Sequence, residues 1–509
     1  MSLQEDVKEE IQLTGENLTL EKIINIARNH VVITLHEKGV ENIFQEREQL
    51  QKLARREDPI YGVNTGCGAN SDMRIPEEQI DYFQRNVLLS HSVGTEEHFH
   101  EEVVRAILVC RANTLIKGST GVQPAILQRY ADFLNLGIHP VTPKKGSVGT
   151  GDLGQMAEQS LAFIGEGEVS WQGDVLPASH VLKENGLSPI ALGPKDGMIL
   201  CCTNAATTGH MSIVLDRAEK TLWKADLAGA LSLEAFRGNL SPFQEKVSQS
   251  RPFPGQHLAS SRLLSFLKGS FLWKKENQRS VQDPLSFRCI AQVHGTSHDA
   301  YTFAKEGLEI ELNSSCDNPM FDPKTEDFIH HGNFHTQPFV SRLEYLGLQI
   351  SSLANMIQNR LQRLMHPGFS GLPKFLTKSP GVNSGYSTLQ KTYSQLAAEI
   401  RHLANPGSLD NYNVANSVED HGNMAPFIVQ KTEDMLERLE TMIGIEILVA
   451  CQGIDLLHHP PLGEGTSIVY KNVRSEIPSL EEDRVISKDV RLVSSLIKNE
   501  TFWSAFPQP

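Results

Sequence analysis

No window of this chain approaches the roughly 18 uninterrupted apolar residues that a membrane-spanning helix needs, so no span is expected. A CxxC pair is also missing. The seven cysteines, Cys67, Cys110, Cys201, Cys202, Cys289, Cys316 and Cys451, are odd in number and scattered. That pattern argues against a disulfide framework and for reduced thiols in a cytoplasmic protein. There is no HExxH, and the adjacent pairs His330–His331 and His458–His459 would point their rings apart on a helix or strand. The 19 histidines therefore do not read as a metal site. Positive charge is in deficit, with 47 Lys and Arg against 61 Asp and Glu and a formal net charge of −14. A nucleic-acid binder would show a basic face, so that class is set aside. An anionic small molecule stays open, because a local site can be basic on an acidic protein. The N-terminus, MSLQEDVKEE, lacks a basic stretch followed by an apolar one and does not read as a secretory signal.

What is present is a folded chain of 509 residues, 39% hydrophobic and 21% charged, with enough apolar material for a large core. Residues 18–57 read as amphipathic helices. Residues 101–136 give two helices separated by KGSTGVQP, where Gly ends one and Pro opens the next. YGVNTGCGAN (61–70) and GIHPVTPKKGSVGTGDLG (137–154) are Gly-rich loops, the second running into a helix at 152–164. GEVSWQGDVLP has hairpin character. Residues 207–230, 335–366, 385–404 and 424–456 repeat apolar side chains every three or four positions, for example Leu343, Leu346, Ile350, Leu353, Ile357, Leu361 and Leu364. Such lengths predict a mainly α protein built on a bundle of long helices. The expected divisions are an N-terminal α-rich domain at 1–195 carrying the loops, a central bundle at 196–470, and a helical tail at 471–509.

Six segments, in order along almost the whole chain, resemble the histidine/phenylalanine ammonia-lyase family. They are YGVNTGCG (61–68), QRNVLLSHSVG (84–94), GSVGTGDLG (146–154), VQDPLSFRC (281–289), DNPMFD with GNFHTQP (317–338), and NSVEDHGNMA (416–425). The resemblance implies the histidine ammonia-lyase (fumarase/aspartase-like) fold and a homotetramer whose active sites draw on three subunits. It also implies elimination of an amine from an aromatic amino acid. The family meets that task with MIO, an electrophilic ring formed from Ala-Ser-Gly, to which the substrate amine adds.

Here the sequence departs from the family. The expected loop reads Gly-Ser-Val-Gly-Ala-Ser-Gly-Asp-Leu, whereas this chain has Gly146, Ser147, Val148, Gly149, Thr150, Gly151, Asp152 and Leu153. The serine that would become the methylidene carbon is missing. Thr150 lies between two glycines, but its dehydration would place an extra methyl on the electrophilic carbon. Leu285 replaces the family tyrosine, Cys202 the asparagine near the ring, and Val418 a glutamine. These positions serve the ring and the amine, and they have changed together. No cofactor is therefore expected.

Other features are retained. Tyr61 stands at the position of the presumed base. Arg288 stands at the carboxylate-binding arginine, where a planar fork can grip two oxygens. Gln282 and Asn318 match polar partners of that carboxylate, although Asn318 in Asp-Asn-Pro also suits a turn. Phe334 matches an aromatic wall, or is core. Ser90-His91 and Glu419-Asp420-His421 match the histidine-selective members, which points to an imidazole ring held by His91 and Glu419. Lys391 falls in a helix that is apolar at this place in the family. It either reaches the surface or supplies a cation to an anionic or sulfur-bearing ring.

A lyase without MIO needs a substrate whose nitrogen is already activated. A quaternary trimethylammonium satisfies this, so the expected substrate is an imidazole betaine, an N-trimethylated histidine or its 2-thio derivative. The alternatives are an MIO-dependent histidine ammonia-lyase and a non-catalytic homologue with a binding role.

Overall fold

A computed structural model describes residues 10–95, 97–499 and 503. The first nine residues, on which the absence of a secretory signal was read, lie outside them, as does nearly all of the tail beyond 499. The chain forms two compact units, each discontinuous in sequence: Met1–Asp216 with Ala304–Arg342 and Pro406–Gln430, and Arg217–Phe303 with Leu343–Asn405 and Lys431–Pro509. These limits cut across the boundaries expected at 195 and 470. Four of the five limits fall inside long helices, where neither glycine nor proline marks them, and the fifth falls between helices at Asn405–Pro406.

The first unit opens with two short parallel strands, Glu10–Leu13 and Val32–Leu35, in register from Glu10–Val32 to Leu13–Leu35. The helix Leu20–Asn29 links them, capped by Thr19, whose side chain accepts from the Lys22 N–H. The helix Glu101–Ile116 is buried along nearly its whole length. Its guanidinium at Arg105 survives burial by donating to the carbonyls of Ile26 and Leu134. The next helix, Pro124–Leu136, starts on proline and ends at Gly137 in the left-handed region, as the punctuation of the sequence predicts. The expected hairpin is present as Glu168–Trp171 against Asp174–Pro177. A cluster of Leu53, Ala54, Ile60, Val63 and Phe321 anchors the loop that carries Tyr61. Burial of such side chains stabilises by about 1.5–3 kcal/mol each.

The long helices predicted from periodicity appear as Ala205–Phe236, Gln337–Leu364, Leu389–Leu403 and Ala425–Leu456. A further helix, Ile290–Leu312, was not legible in the apolar pattern. Its buried face carries polar residues: His294 and His298 bond the two oxygens of Asp226 at 2.9 and 2.8 Å. Burial pushes the Asp226 carboxyl up, but the two imidazoles outweigh it and hold it well below the usual range. In the same unit Arg360 pairs with Glu446 through two hydrogen bonds of 2.5 and 3.0 Å, both side chains fully buried. The stretch Asp196–Phe236 is long and apolar enough by composition to cross a membrane, but its apolar window is wholly buried in the protein.

Candidate active site

Three loops of the first unit meet around Tyr61. The loop after Ile60 is held by Asn64, whose Oδ1 accepts from the Ile60 N–H at 2.7 Å and whose amide donates to the Asp58 carbonyl at 3.0 Å. This turn leaves the Tyr61 ring half-buried, edge-on to His330 at 6.3 Å. The Gly68 N–H donates to the Tyr61 hydroxyl oxygen at 2.8 Å. That bond favours the phenolate, yet burial dominates and pushes the hydroxyl up to about 12, with Cys67, Cys202 and Glu419 adding to the rise. The presumed base is thus a neutral phenol in the free chain.

The second loop is the shortened one. Ser147 Oγ donates to the Gly151 carbonyl at 2.8 Å and accepts from the Gly149 N–H at 3.0 Å. Thr336 Oγ1 donates to the Gly149 carbonyl at 2.9 Å, and the Gly151 N–H donates to the Phe334 carbonyl at 3.2 Å. Gly149 has φ +87°, and a Cβ there would overlap Asn423 Oδ1, so an alanine methyl has no room. Ring closure to MIO requires the Gly151 nitrogen to attack the Gly149 carbonyl carbon, and both groups are committed to other partners. The residues present do not fit that group. Asp152, at the following helix start, accepts from the Thr207 N–H and hydroxyl at 2.7 and 2.8 Å, and burial pushes it up to about 6.

The third loop bears Glu419. Ala415, Asn416 and Ser417 all take left-handed φ values, and Val414 bridges back to Glu419. The acidic segment is therefore a strained turn six residues before the helix Ala425–Leu456, not its first turn. Glu419 is partly buried. His91 ends the helix Ile80–His91, with Nδ1 2.8 Å from the Val87 carbonyl. Nδ1–H is the donor in that bond, which leaves Nε2 as an acceptor. Asn318 does serve a turn: its Oδ1 accepts from the His331 N–H at 3.0 Å. Phe334 is only partly buried and is not simply core.

Beneath Asn318, the Asp317 carboxylate takes buried ion pairs from Lys195 and Arg111. Asp317→Ala leaves two buried cations unpaired, so a loss of about 3–5 kcal/mol is expected. Chemical denaturation measures it, and an unchanged midpoint would show that the cluster does not stabilise this unit.

In the second unit Arg288 ends the short helix Leu285–Arg288. Its Nε is buried with no hydrogen-bond partner among the described residues, and the side chain lines a depression of about 360 Å³ with Gln282, Asn239 and Gln292. A buried guanidinium Nε without a protein partner can donate to an anion. Gln282 is exposed at the rim. Lys391, expected to be buried or snorkelling, is exposed near the start of the helix Leu389–Leu403, so no internal anion holds it in the single chain.

Sequence reading missed one pair. His335 Nε2 and His421 Nδ1 lie 2.9 Å apart. Both residues stand in quoted motifs, but 86 positions separate them and no spacing rule joins them.

The family model for aromatic amino acid lyases matches residues 18–475. The histidine ammonia-lyase of Alkaliphilus metalliredigens is 35% identical over 490 residues, covering 96% of this chain and 97% of the relative. That of Natranaerobius thermophilus is 37% identical, with 96% of each chain covered. Among solved structures, the ergothioneine-degrading enzyme ergothionase from Treponema denticola, in complex with desmethyl-ergothioneine sulfonic acid, superimposes with a TM-score of 0.95. It is 36% identical and covers 97% of this chain and 99% of its own. Histidine ammonia-lyase from Trypanosoma cruzi gives a TM-score of 0.88 at 32% identity, covering 97% and 94%.

Proposed function

The chain belongs to the aromatic amino acid lyase family, whose members are carbon–nitrogen lyases, and from that premise we propose that it eliminates trimethylamine from ergothioneine to give thiourocanate, without MIO. The observation that carries this reading is the loop at 146–151. It lacks the serine, has no room for the alanine methyl, and commits both ring-closing groups elsewhere. The likeness to ergothionase supports the substrate.

A trimethylammonium nitrogen has no lone pair, so it cannot add to an electrophile. It needs none, because it departs as a neutral amine. The Tyr61 phenolate takes the β-proton, its bonding pair becomes the Cα–Cβ double bond, and the Cα–N bond breaks with its electrons going to nitrogen. Arg288, with Gln282 and Asn318, holds the carboxylate. Glu419 accepts from a ring N–H, His91 turns its Nε2 to the ring, and Phe334 forms a wall. Lys391 faces the sulfur and offsets charge that builds in the ring. The reading assigns these residues to sites assembled from several chains of a homotetramer. The seven free thiols fit a reducing, cytoplasmic setting.

A second reading, an MIO-type histidine ammonia-lyase, is favoured by the names of the relatives. A non-catalytic homologue would have no reason to keep Tyr61, Arg288 and Glu419 together. Incubation with ergothioneine, its thiol-free analogue hercynine, and histidine separates the three. Trimethylamine from a betaine is the expected product; ammonia from histidine supports the second reading, and no product supports the third.

A further inference from the structure

We propose that His335 and His421 form a neutral imidazole relay that positions Glu419, and that uptake of one proton by the relay releases the Glu419 turn and weakens substrate binding. The proposal rests on the reading of Glu419 as the carboxylate that binds the substrate ring.

The hydrogen bonds fix both tautomers. The Gln337 N–H donates to His335 Nδ1 at 3.3 Å, so that nitrogen carries no proton. In a neutral ring the proton is then on His335 Nε2, which donates to His421 Nδ1 at 2.9 Å. His421 in turn carries its proton on Nε2, directed away from the pair. Each ring nitrogen able to take up a proton is already an acceptor. Wherever a proton is added, one of the two hydrogen bonds becomes a pair of opposed N–H groups.

The relay joins the segments that frame Tyr61. His335 pairs through its backbone with Thr150 of the shortened loop. His421 is two residues from Glu419, and the turn between them is tied by Asn411, which donates to the Asp420 carbonyl at 2.9 Å and accepts from the Gly422 N–H at 2.7 Å. Gly422 packs on Val148, and the Asn423 and Met424 N–H groups donate to the Val148 carbonyl. The pair is thus a side-chain link from the 332–336 segment to the Glu419 turn, beside the Thr336 hydroxyl, which donates to Asn423 Oδ1 at 2.9 Å. The titratable groups on the loops that meet here, besides the pair, are Glu419, Asp420, Tyr412, His330, His331, Tyr61, Cys67 and Asp152. Burial and His421 itself hold His335 below its ordinary value, and no carboxylate stands among the groups acting on it. His335 is therefore neutral near pH 7, and it takes up a proton only below the ordinary imidazole value of about 6.5.

The test titrates ergothioneine into the full-length protein by calorimetry between about pH 5 and 8, in parallel with trimethylamine release. The 2-thioimidazole ring takes up no proton in this range. Parent affinity is expected to fall toward tenfold per pH unit on the acid side. His335→Gln keeps a donor to His421, and its amide can turn its carbonyl to accept once His421 is protonated, so it should bind within about threefold of the parent at neutral pH and lose the acid fall. His335→Leu cuts the relay and should bind about tenfold more weakly at neutral pH, with kcat less affected and the melting temperature unchanged. An acid fall that persists in His335→Gln, or parent-like binding by His335→Leu, overturns the relay. A parent that binds with this pH dependence but releases no trimethylamine overturns the functional reading alone. A parent that does not bind ergothioneine overturns both.

Discussion

Phenylalanine at position 61 is expected to lower kcat about a thousandfold while ergothioneine binding stays within a few fold. The substitution removes one oxygen and keeps the ring that packs edge-on to His330. It orphans the Gly68 N–H, which costs about 1 kcal/mol of stability. What disappears is the base. In the free protein that base is a phenol pushed up to about 12, so its reactive fraction grows as pH rises. The ratio kcat/KM, which reports the free enzyme, should therefore climb about tenfold per pH unit through neutrality and into the alkaline range. Bound substrate brings a fixed cation that favours the phenolate, so kcat should level off at a lower pH than kcat/KM. Turnover retained by Tyr61→Phe removes the tyrosine from this role.

The second large effect is at Arg288. Arg288→Ala is expected to lower kcat/KM at least a hundredfold, the order seen when one partner of a desolvated, hydrogen-bonded charge pair is removed. Arg288→Lys should recover little, because a point charge does not replace a planar fork. The same variants give a structural control. Arg288 has a buried Nε without a protein partner, so its removal should leave the melting temperature unchanged or raise it. A loss of stability that matches the loss of activity would mean that the guanidinium supports the fold and not the substrate.

How much of this was legible beforehand follows from what each element hides from the sequence. Where a helix buries an apolar stripe and ends on marked residues, the pattern suffices. Gln337–Leu364 and the Pro124–Gly137 boundary are examples. Where burial is achieved by pairing charge, the pattern fails. Ile290–Leu312 hides His294 and His298 against Asp226, and so breaks its own periodicity. The parallel strands at Glu10–Leu13 and Val32–Leu35 span only four residues each, too few to show alternation. Tyr61, Asn318, Phe334 and Glu419 were proposed from the motifs of the family resemblance, and all four lie outside the long helices. The burial of Tyr61 and its raised phenol could not be found that way, because they depend on residues far along the chain. Lys391 is exposed in the single chain, which is the surface alternative of its sequence reading, and the buried Leu389, Tyr393 and Ile400 lie on a different face of the same helix.

In the proposed reaction nitrogen activation resides in the substrate and not in a ring made from residues 149–151. The most direct test is the intact mass of a preparation that is releasing trimethylamine from ergothioneine. The account predicts the mass encoded by the sequence, apart from any processing at the N-terminus. A mass lower by two waters, mapped by peptide analysis to the 149–151 loop, would contradict it.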